Sequence, residues 1–235
     1  MKQDRSNKNT NTETMKSSSS SSLPLTLPFL LFAISTTFAS AFMDPPVMIL
    51  DQNGVPVSAS AEYYVAQLNG GPTGGGLTTG LGTNITCPLI VLQVYYEAVR
   101  GQKVKFTTRG TTKSDDKIRT GTPLDIEFVD KPSCASSSKW VVVYDSKYPG
   151  QWLGIGDAAD LPGKKIVDGV FKIEKYSFLE GYKFMFCPTA RNVCLNFARL
   201  EDANGRRLIL VNETTSPYIL EAGFDKATTS SKPLF

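Results

Sequence analysis

The sequence predicts an all-β fold, a barrel or a sandwich. About twelve short apolar runs recur along it, broken by Gly, Pro, Asn and Asp. Several alternate with a period of two: Leu124, Ile126 and Phe128 face one way while Asp125 and Glu127 face the other, and Phe171 and Ile173 oppose Lys172 and Glu174. Almost nothing carries the 3.6-residue period of a helix. Alternation of this kind marks strands with one buried face, and many such strands separated by turns close into barrels or stacked sheets.

The first segment of the 235-residue chain is not fold. Residues 1–22 are polar and end in six serines. The apolar stretch LPLTLPFLLFAISTTFASA follows at 23–41, with Lys16 ahead of it and Ala39-Ser40-Ala41 as a small-residue cleavage site. This pattern predicts a secretory signal peptide, removed after Ala41, with Met15 as a second candidate start. A membrane anchor is the rival, but Pro24, Pro28 and Ser35 interrupt the run and no later segment is long and apolar enough to span. The expected organisation is therefore 1–41 removed, one domain over 42–225, and a polar tail over 226–235. The mature chain would hold 21 basic and 20 acidic residues, a net charge of +1. That balance argues against nucleic acid or a charged membrane surface as partner.

The expected strands cover 47–50, 63–68, 90–96, 104–106, 124–129, 140–144, 152–155, 170–176, 182–186, 195–200, 208–211 and 218–222. A weak echo links AEYYVAQL, TPLDIEFV and GVFKIEKY, spaced by about sixty and about forty-five residues. A threefold repeat of four strands would make a β-trefoil, which the echo by itself is too weak to establish. Trp140 is expected in the core.

Asn53-Gly54 and Asn204-Gly205 specify turns. The stretch Gly70-Gly71-Pro72-Thr73-Gly74-Gly75-Gly76 has neither the Gly-Lys-Ser/Thr nor the G-x-G-x-x-G of a nucleotide loop and reads as a flexible connection. Asp202-x-Asn204-Gly205 opens like a calcium loop but no glutamate closes it.

A polar, hydroxyl-rich and basic stretch, FTTRGTTKSDDKIRTGTP, residues 106–123, lies between two strand-like runs. Such a stretch belongs on the surface, held by a rigid scaffold. It offers Arg109, Lys113, Lys117 and Arg119, and a basic side chain on a held loop is what a trypsin-like specificity pocket accepts. The plainer reading is a solvated connection between strands.

Catalysis finds little support. The chain has no histidine, which removes Ser-His-Asp and Cys-His chemistry and the usual zinc sites. Asp115-Asp116 and Asp157/Asp160 lie in polar stretches, without the burial that splits two carboxyls into acid and base. Neither an enzyme nor a bound metal or cofactor is expected. Four cysteines, Cys87, Cys134, Cys187 and Cys194, read as two disulfides in a secreted chain, and three pairings are open. Cys187 and Cys194 suit a hairpin staple. Asn84-Ile85-Thr86 and Asn212-Glu213-Thr214 are N-glycosylation sequons.

Together the motifs resemble a known family. Ile49-Leu50-Asp51-Gln52-Asn53-Gly54, Pro56-Val57, Tyr63-Tyr64-Val65, Cys87-Pro88-Leu89, Lys139-Trp140 and Gly154-Ile155-Gly156 are joined by Phe171-Lys172-Ile173-Glu174, Tyr182 to Pro188 (YKFMFCP) and Gly205-Arg206-Arg207-Leu208. This set is similar to the plant Kunitz-type, soybean trypsin inhibitor-like proteins, miraculin-like members included, over about 47–223. The resemblance implies a β-trefoil of about twelve short antiparallel strands, with Cys87 paired to Cys134 and Cys187 to Cys194. It implies a monomer secreted to the apoplast or stored in a vacuole, a role in plant defence, and inhibition of a trypsin-like serine endopeptidase by a substrate-like loop.

That loop falls at 106–123. The anchor that fills the protease pocket is not fixed by alignment: Arg109, Thr111, Lys113 and Ser114 are candidates. Lys113 is preferred because a small residue follows it, whereas Gly110 would loosen Arg109. The loop is about three residues longer than usual. Ala59 stands where strong inhibitors place an asparagine that stiffens the loop and cannot make its bond, and the flanking Ser58 and Ser60 are the candidates to substitute for it. Asp115 and Asp116 lie where they could repel an acidic protease surface. The alternative implied is a non-inhibitory, miraculin-like protein serving storage, defence or ligand binding. Carbohydrate binding is open to any trefoil.

Overall fold

A computed structural model of the chain describes residues 45–66, 74–82, 85–110, 116–148, 150–176, 181–212 and 218–228. The described residues form thirteen strands and no helix. In chain order these are β1 (Tyr63–Ala66), β2 (Leu77–Gly82), β3 (Ile85–Gln93), β4 (Lys103–Thr108), β5 (Leu124–Phe128), β6 (Trp140–Tyr144) and β7 (Gln151–Ile155). There follow β8 (Lys165–Val167), β9 (Gly169–Lys175), β10 (Tyr182–Pro188), β11 (Leu195–Asp202), β12 (Gly205–Val211) and β13 (Glu221–Lys226).

Six of them close a barrel. β1 pairs β4 (Tyr63↔Val104), β4 pairs β5 (Phe106↔Ile126) and β5 touches β9 (Leu124↔Phe171). β9 pairs β10 (Ile173↔Phe184), β10 pairs β13 (Tyr182↔Ala222) and β13 returns to β1 (Val65↔Phe224). All pairings are antiparallel, and closure leaves this ring no open edge. Six of the remaining seven form three hairpins, β2–β3, β6–β7 and β11–β12, and the short β8 pairs with the outer side of β6 (Val143↔Ile166). The second strands of these hairpins meet in a triangle: β3 pairs β7 at Ile90↔Gly154, β7 pairs β12 at Trp152↔Ile209, and β12 pairs β3 at Arg206↔Gln93. A six-stranded barrel capped by three hairpins is a β-trefoil.

The alternation does what it predicts. In β5, Leu124, Ile126 and Phe128 are buried while Asp125 and Glu127 between them are half-buried. The barrel lumen is aromatic. Phe224 is ringed by Phe106 at 5.5 Å, Tyr182 at 5.7 Å, Phe184 at 6.0 Å and Tyr63 at 6.4 Å between centroids. Trp140 is only 4% exposed and packs on Phe184 at 5.4 Å and Phe128 at 5.6 Å, as expected of a core residue. Each fully buried side chain of this size contributes about 1.5–3 kcal/mol.

The repeat is real, but its third member is not the strand that the echo predicts. AEYYVAQL and TPLDIEFV supply β1 and β5, the opening strands of the first two units. GVFKIEKY supplies β9, the closing strand of the second unit. The third unit opens on β10, so the openings stand at residues 63, 124 and 182, or 61 and 58 apart.

Other differences are local. Residues 47–50 make isolated bridges at Met48 and Leu50 rather than a strand. β2 and β8 carry no apolar run in the sequence. The final strand extends to Lys226, and the Ala227 amide still donates to the Glu62 carbonyl at 2.9 Å, so ordered pairing passes the expected boundary. The glycine-rich stretch is not a loose connection where it is described. Gly75 N–H donates to Val94 O at 2.8 Å and Gly76 N–H to Val99 O at 2.9 Å. A Cβ on Gly76 would lie 1.9 Å from the Arg100 carbonyl oxygen, so only glycine lets the two backbones approach. Residues 70–73 lie outside the described residues.

Asn53-Gly54 and Asn204-Gly205 make the expected turns. Gly54 has φ +75°, and Asp51 Oδ1 accepts the N–H groups of Asn53 and Val55, both at 2.9 Å. At the second turn, the Asp202 carboxylate is taken by the Asn204 N–H at 2.8 Å, the Arg207 guanidinium at 3.1 Å and the Tyr148 hydroxyl at 3.3 Å. It serves the β11–β12 hairpin. Two disulfides staple the unit: Cys87 of β3 to Cys134 in the β5–β6 connection, and Cys187 of β10 to Cys194 just before β11.

Candidate reactive loop

β4 and β5 pair up to Thr108↔Leu124, and the chain between them forms the loop picked out by its polarity. Its N-terminal root is closed by the Arg109 N–H, which donates to Pro123 O at 2.9 Å. The Arg109 side chain lies back along the sheet. Its Nε donates to Asp125 Oδ1 at 3.0 Å, with a second bond from Nη2, and Nη1 approaches the Gly169 carbonyl at 3.4 Å. Asp125 is available because alternation turns it outward from β5. The carboxylate raises the pKa of the guanidinium, which stays charged. Gly110 follows at φ +79°, a backbone conformation that favours glycine.

The C-terminal root is sewn into the N-terminal segment of the domain. Ile118 is fully buried, donates its N–H to Val57 O at 2.8 Å and accepts from Ile49 N–H at 3.0 Å. Val57 N–H donates in turn to Ile49 O at 2.8 Å. Thr120 and Val47 are joined twice, N–H to O at 2.9 Å and Val47 N–H to Thr120 Oγ1 at 3.0 Å. Gly121, at φ +74°, gives its N–H to Ile173 O at 3.0 Å and so ties the end of the loop to β9.

Ahead of Ile118, Asp116 is gripped by three consecutive residues. Its main-chain carbonyl accepts the Ala59 N–H at 2.8 Å. One carboxylate oxygen, Oδ2, accepts both the Ser58 hydroxyl and the Ser60 hydroxyl, the latter at 2.8 Å. Lys117 pairs with the other oxygen at 3.2 Å. These bonds, Ser58 first, then Ser60 and Lys117, lower the Asp116 pKa to about 2. Ser58 is itself fixed: it is 6% exposed and its N–H donates at 2.9 Å to the Tyr63 hydroxyl, whose ring forms part of the barrel core.

Of the four anchor candidates, Arg109 sits at the root, ion-paired, and not at the tip. Thr111, Lys113 and Ser114 lie outside the described residues, as do Asp115 and the sequon residue Asn84. Asn212 is exposed just after β12. Asp157 and Asp160 organise a turn rather than face a cleft: Asp160 accepts the Ser136 N–H at 3.0 Å and the Asp157 N–H at 3.0 Å, and Asp157 accepts the Ala159 N–H at 2.8 Å. Sequence reasoning missed the role of Asp116, read there as a source of repulsion. The Ser-x-Ser flanking Ala59 pointed to the two donors, but nothing in the sequence names the carboxylate they hold.

Comparison with known proteins agrees with this architecture. The profile of the Kunitz legume family, described as trypsin and protease inhibitor, matches residues 49–225. The chain is 43% identical to a Kunitz-type trypsin inhibitor-like 2 protein of Pisum sativum over 189 residues, 80% of this chain and 86% of that one. It is 38% identical to subtilisin inhibitor CLSI-II of Canavalia lineata over 167 residues, 70% of this chain and 86% of that one. The crystal structure of a Kunitz type trypsin inhibitor from Cicer arietinum superposes with a TM-score of 0.71 at 37% identity, covering 77% of this chain and 99% of that one. Barrel, hairpin triangle, disulfides and profile coincide over one stretch, and the chain belongs to the plant Kunitz-type trypsin and protease inhibitor family.

Proposed function

We propose that the protein inhibits a serine endopeptidase of trypsin-like specificity by offering the 109–123 loop to the active-site cleft as a substrate would be offered. One observation carries this reading: the five residues 111–115 span two roots that are pinned to different parts of the barrel, at Arg109 and at Asp116. A loop ordered in advance loses little entropy on docking, which is where tight inhibitors gain over substrates. Lys113, the basic residue in that span, is the anchor for the acidic pocket of a trypsin-like enzyme, with Ser114 after it. The relatives support the class, since one is named a trypsin inhibitor-like protein and another a subtilisin inhibitor.

The non-inhibitory reading rested on Ala59 and the softer loop it implies. The hydrogen bonds made by Ser58, Ala59 and Ser60 to Asp116 favour inhibition instead. The same reading includes removal of residues 1–41, secretion to the apoplast or a vacuole, and action as a monomer. Titration of the mature protein against trypsin, with chymotrypsin, subtilisin and papain in parallel, tests it. Tight trypsin inhibition that Lys113→Ala abolishes is the expected result. Failure to inhibit any of the four would overturn it.

A further inference from the structure

We propose that Asp116 is a positioning residue, and that its clamp by the Ser58 and Ser60 hydroxyls holds the C-terminal flank of the loop in its docking geometry. The consequence for inhibition rests on the function proposed above, while the ordering of the flank can be tested without it.

Position 59 cannot supply a side-chain bond, because alanine carries none. The neighbouring hydroxyls can, and both converge on Oδ2 of Asp116 while their own oxygens lie 2.7 Å apart. The Ser60 N–H adds a bond to Ser58 Oγ at 3.2 Å, which orients that hydroxyl. Two donors on one carboxylate oxygen, with the Ala59 N–H on the carbonyl of the same residue, fix both the side chain and the main chain of Asp116. The restraint leads back to the barrel: Asp116 to Ser58, Ser58 to the Tyr63 hydroxyl, Tyr63 to β1.

A solvated ion pair with Lys117 does not account for this arrangement. Both partners are exposed, at 39% and 45% of their side-chain surface, and pairs of that kind contribute little. Hydrogen bonds from hydroxyls to a carboxylate are stronger than neutral ones and directional. Downstream, Lys117 bridges to Ser58 and Ile118 is buried, so the clamp sits where the loop leaves the scaffold. With the clamp intact, the flank is ordered before docking. With it broken, the flank must be ordered by the protease, and the loop behaves more as a substrate.

The test uses Ser58→Ala/Ser60→Ala in the mature protein, which leaves every charge and the Lys117 pair in place, beside Asp116→Ala and Asp116→Asn. Two readouts are taken: the inhibition constant against trypsin, and the rate at which catalytic trypsin cuts within 111–115, located by mass spectrometry. The double serine variant and Asp116→Ala are each expected to weaken inhibition by about ten- to a hundredfold, and Ser58→Ala/Ser60→Ala/Asp116→Ala no further, since all remove one unit. Cutting is expected to rise by at least about tenfold, with Asp116→Asn between the wild type and Asp116→Ala. The melting temperature is expected to stay within about 3 °C of the wild type, which separates positioning from loss of fold. Wild-type inhibition and wild-type cutting in the double serine variant would overturn the proposal. If the wild type inhibits nothing, cutting still decides: a rise in the variants sustains the clamp and removes only the inhibitory reading, and equal rates remove the clamp.

Discussion

Arg109 and Asp125 are joined across the open end of the β4–β5 pair, Nε to Oδ1 at 3.0 Å, so this arginine closes the loop it was a candidate to lead. Its side chain remains about half exposed, and bonds of that kind contribute up to about 1 kcal/mol. Arg109→Ala is therefore expected to leave trypsin inhibition within about fivefold of wild type. Lys113→Ala should cost at least about a thousandfold, as loss of a pocket-filling anchor does. Inhibition constants for the two variants decide the matter, and an Arg109→Ala loss as large as that of Lys113→Ala would place the anchor at the root.

The Asp116 carboxyl should titrate near pH 2, against an ordinary value of 3.8. A carboxylate whose pKa is lowered by folding stabilises the fold fully above pH 3.8 and loses that contribution as pH falls through about 2. The carboxyl carbon shift followed by NMR from about pH 1 to about pH 5, a range that brackets the lowered and the ordinary midpoints, reads this directly. In Ser58→Ala/Ser60→Ala the midpoint should move up toward 3.8, because the two largest causes of the shift are gone. An unmoved midpoint would mean that the hydroxyls do not act on this carboxylate.

The two disulfides should differ in weight. Cys87 and Cys134 are 47 residues apart, and Cys187 and Cys194 seven. Loop-closure entropy assigns about 4 kcal/mol to the first and about 2.4 kcal/mol to the second. Denaturant midpoints of the two paired Cys→Ser variants give the comparison. Equal losses would show that enthalpic terms outweigh chain entropy here.

Two glycines separate backbone conformation from space. Gly54 has φ +75° with nothing within 4 Å of a would-be Cβ, so Gly54→Ala should cost about 1–2 kcal/mol and lower Tm by a few degrees. At Gly76 the Cβ would meet the Arg100 carbonyl oxygen at 1.9 Å, so Gly76→Ala should cost more than about 3 kcal/mol or prevent folding. Thermal melts in which Gly54→Ala is the worse variant would contradict this account.

What the sequence reveals depends on which faces of a strand are buried. β5 and β9 have one buried face, so their alternation could be read directly. β10 buries five of its seven residues, and its sequence YKFMFCP carries apolar Met185 and Cys187 on the face opposite Tyr182, Phe184 and Phe186, so it lacks the apolar/polar contrast of β9 and the echo points one strand too early. β2, LTTGLG, and β8, KIV, offered no rhythm: the first sets two leucines four residues apart among glycine and threonine and is held by pairing with β3, the second is only three residues long. The loop could be found because it is polar and basic between two apolar runs. The clamp was legible only by half: Ser58 and Ser60 stand out as stand-ins for a stiffening asparagine, but their partner does not, because Ser58 and Asp116 are 58 residues apart. Only the folded path of the chain brings them together.

Residues 111–115 lie inside the covalent ring closed by Cys87 and Cys134. Hydrolysis of any peptide bond in that span opens a ring and liberates no fragment. The new chain ends stay tethered, one through Arg109 to β5 and the other through Asp116 to the segment around Ser58. Their effective concentration for each other stays high, so the nick is held as a reversible state of one molecule rather than a step toward degradation. Such a nicked protein would migrate as a single species until its disulfides are reduced. Durability under attack then belongs to the ring and its two tethers, whichever bond the protease selects.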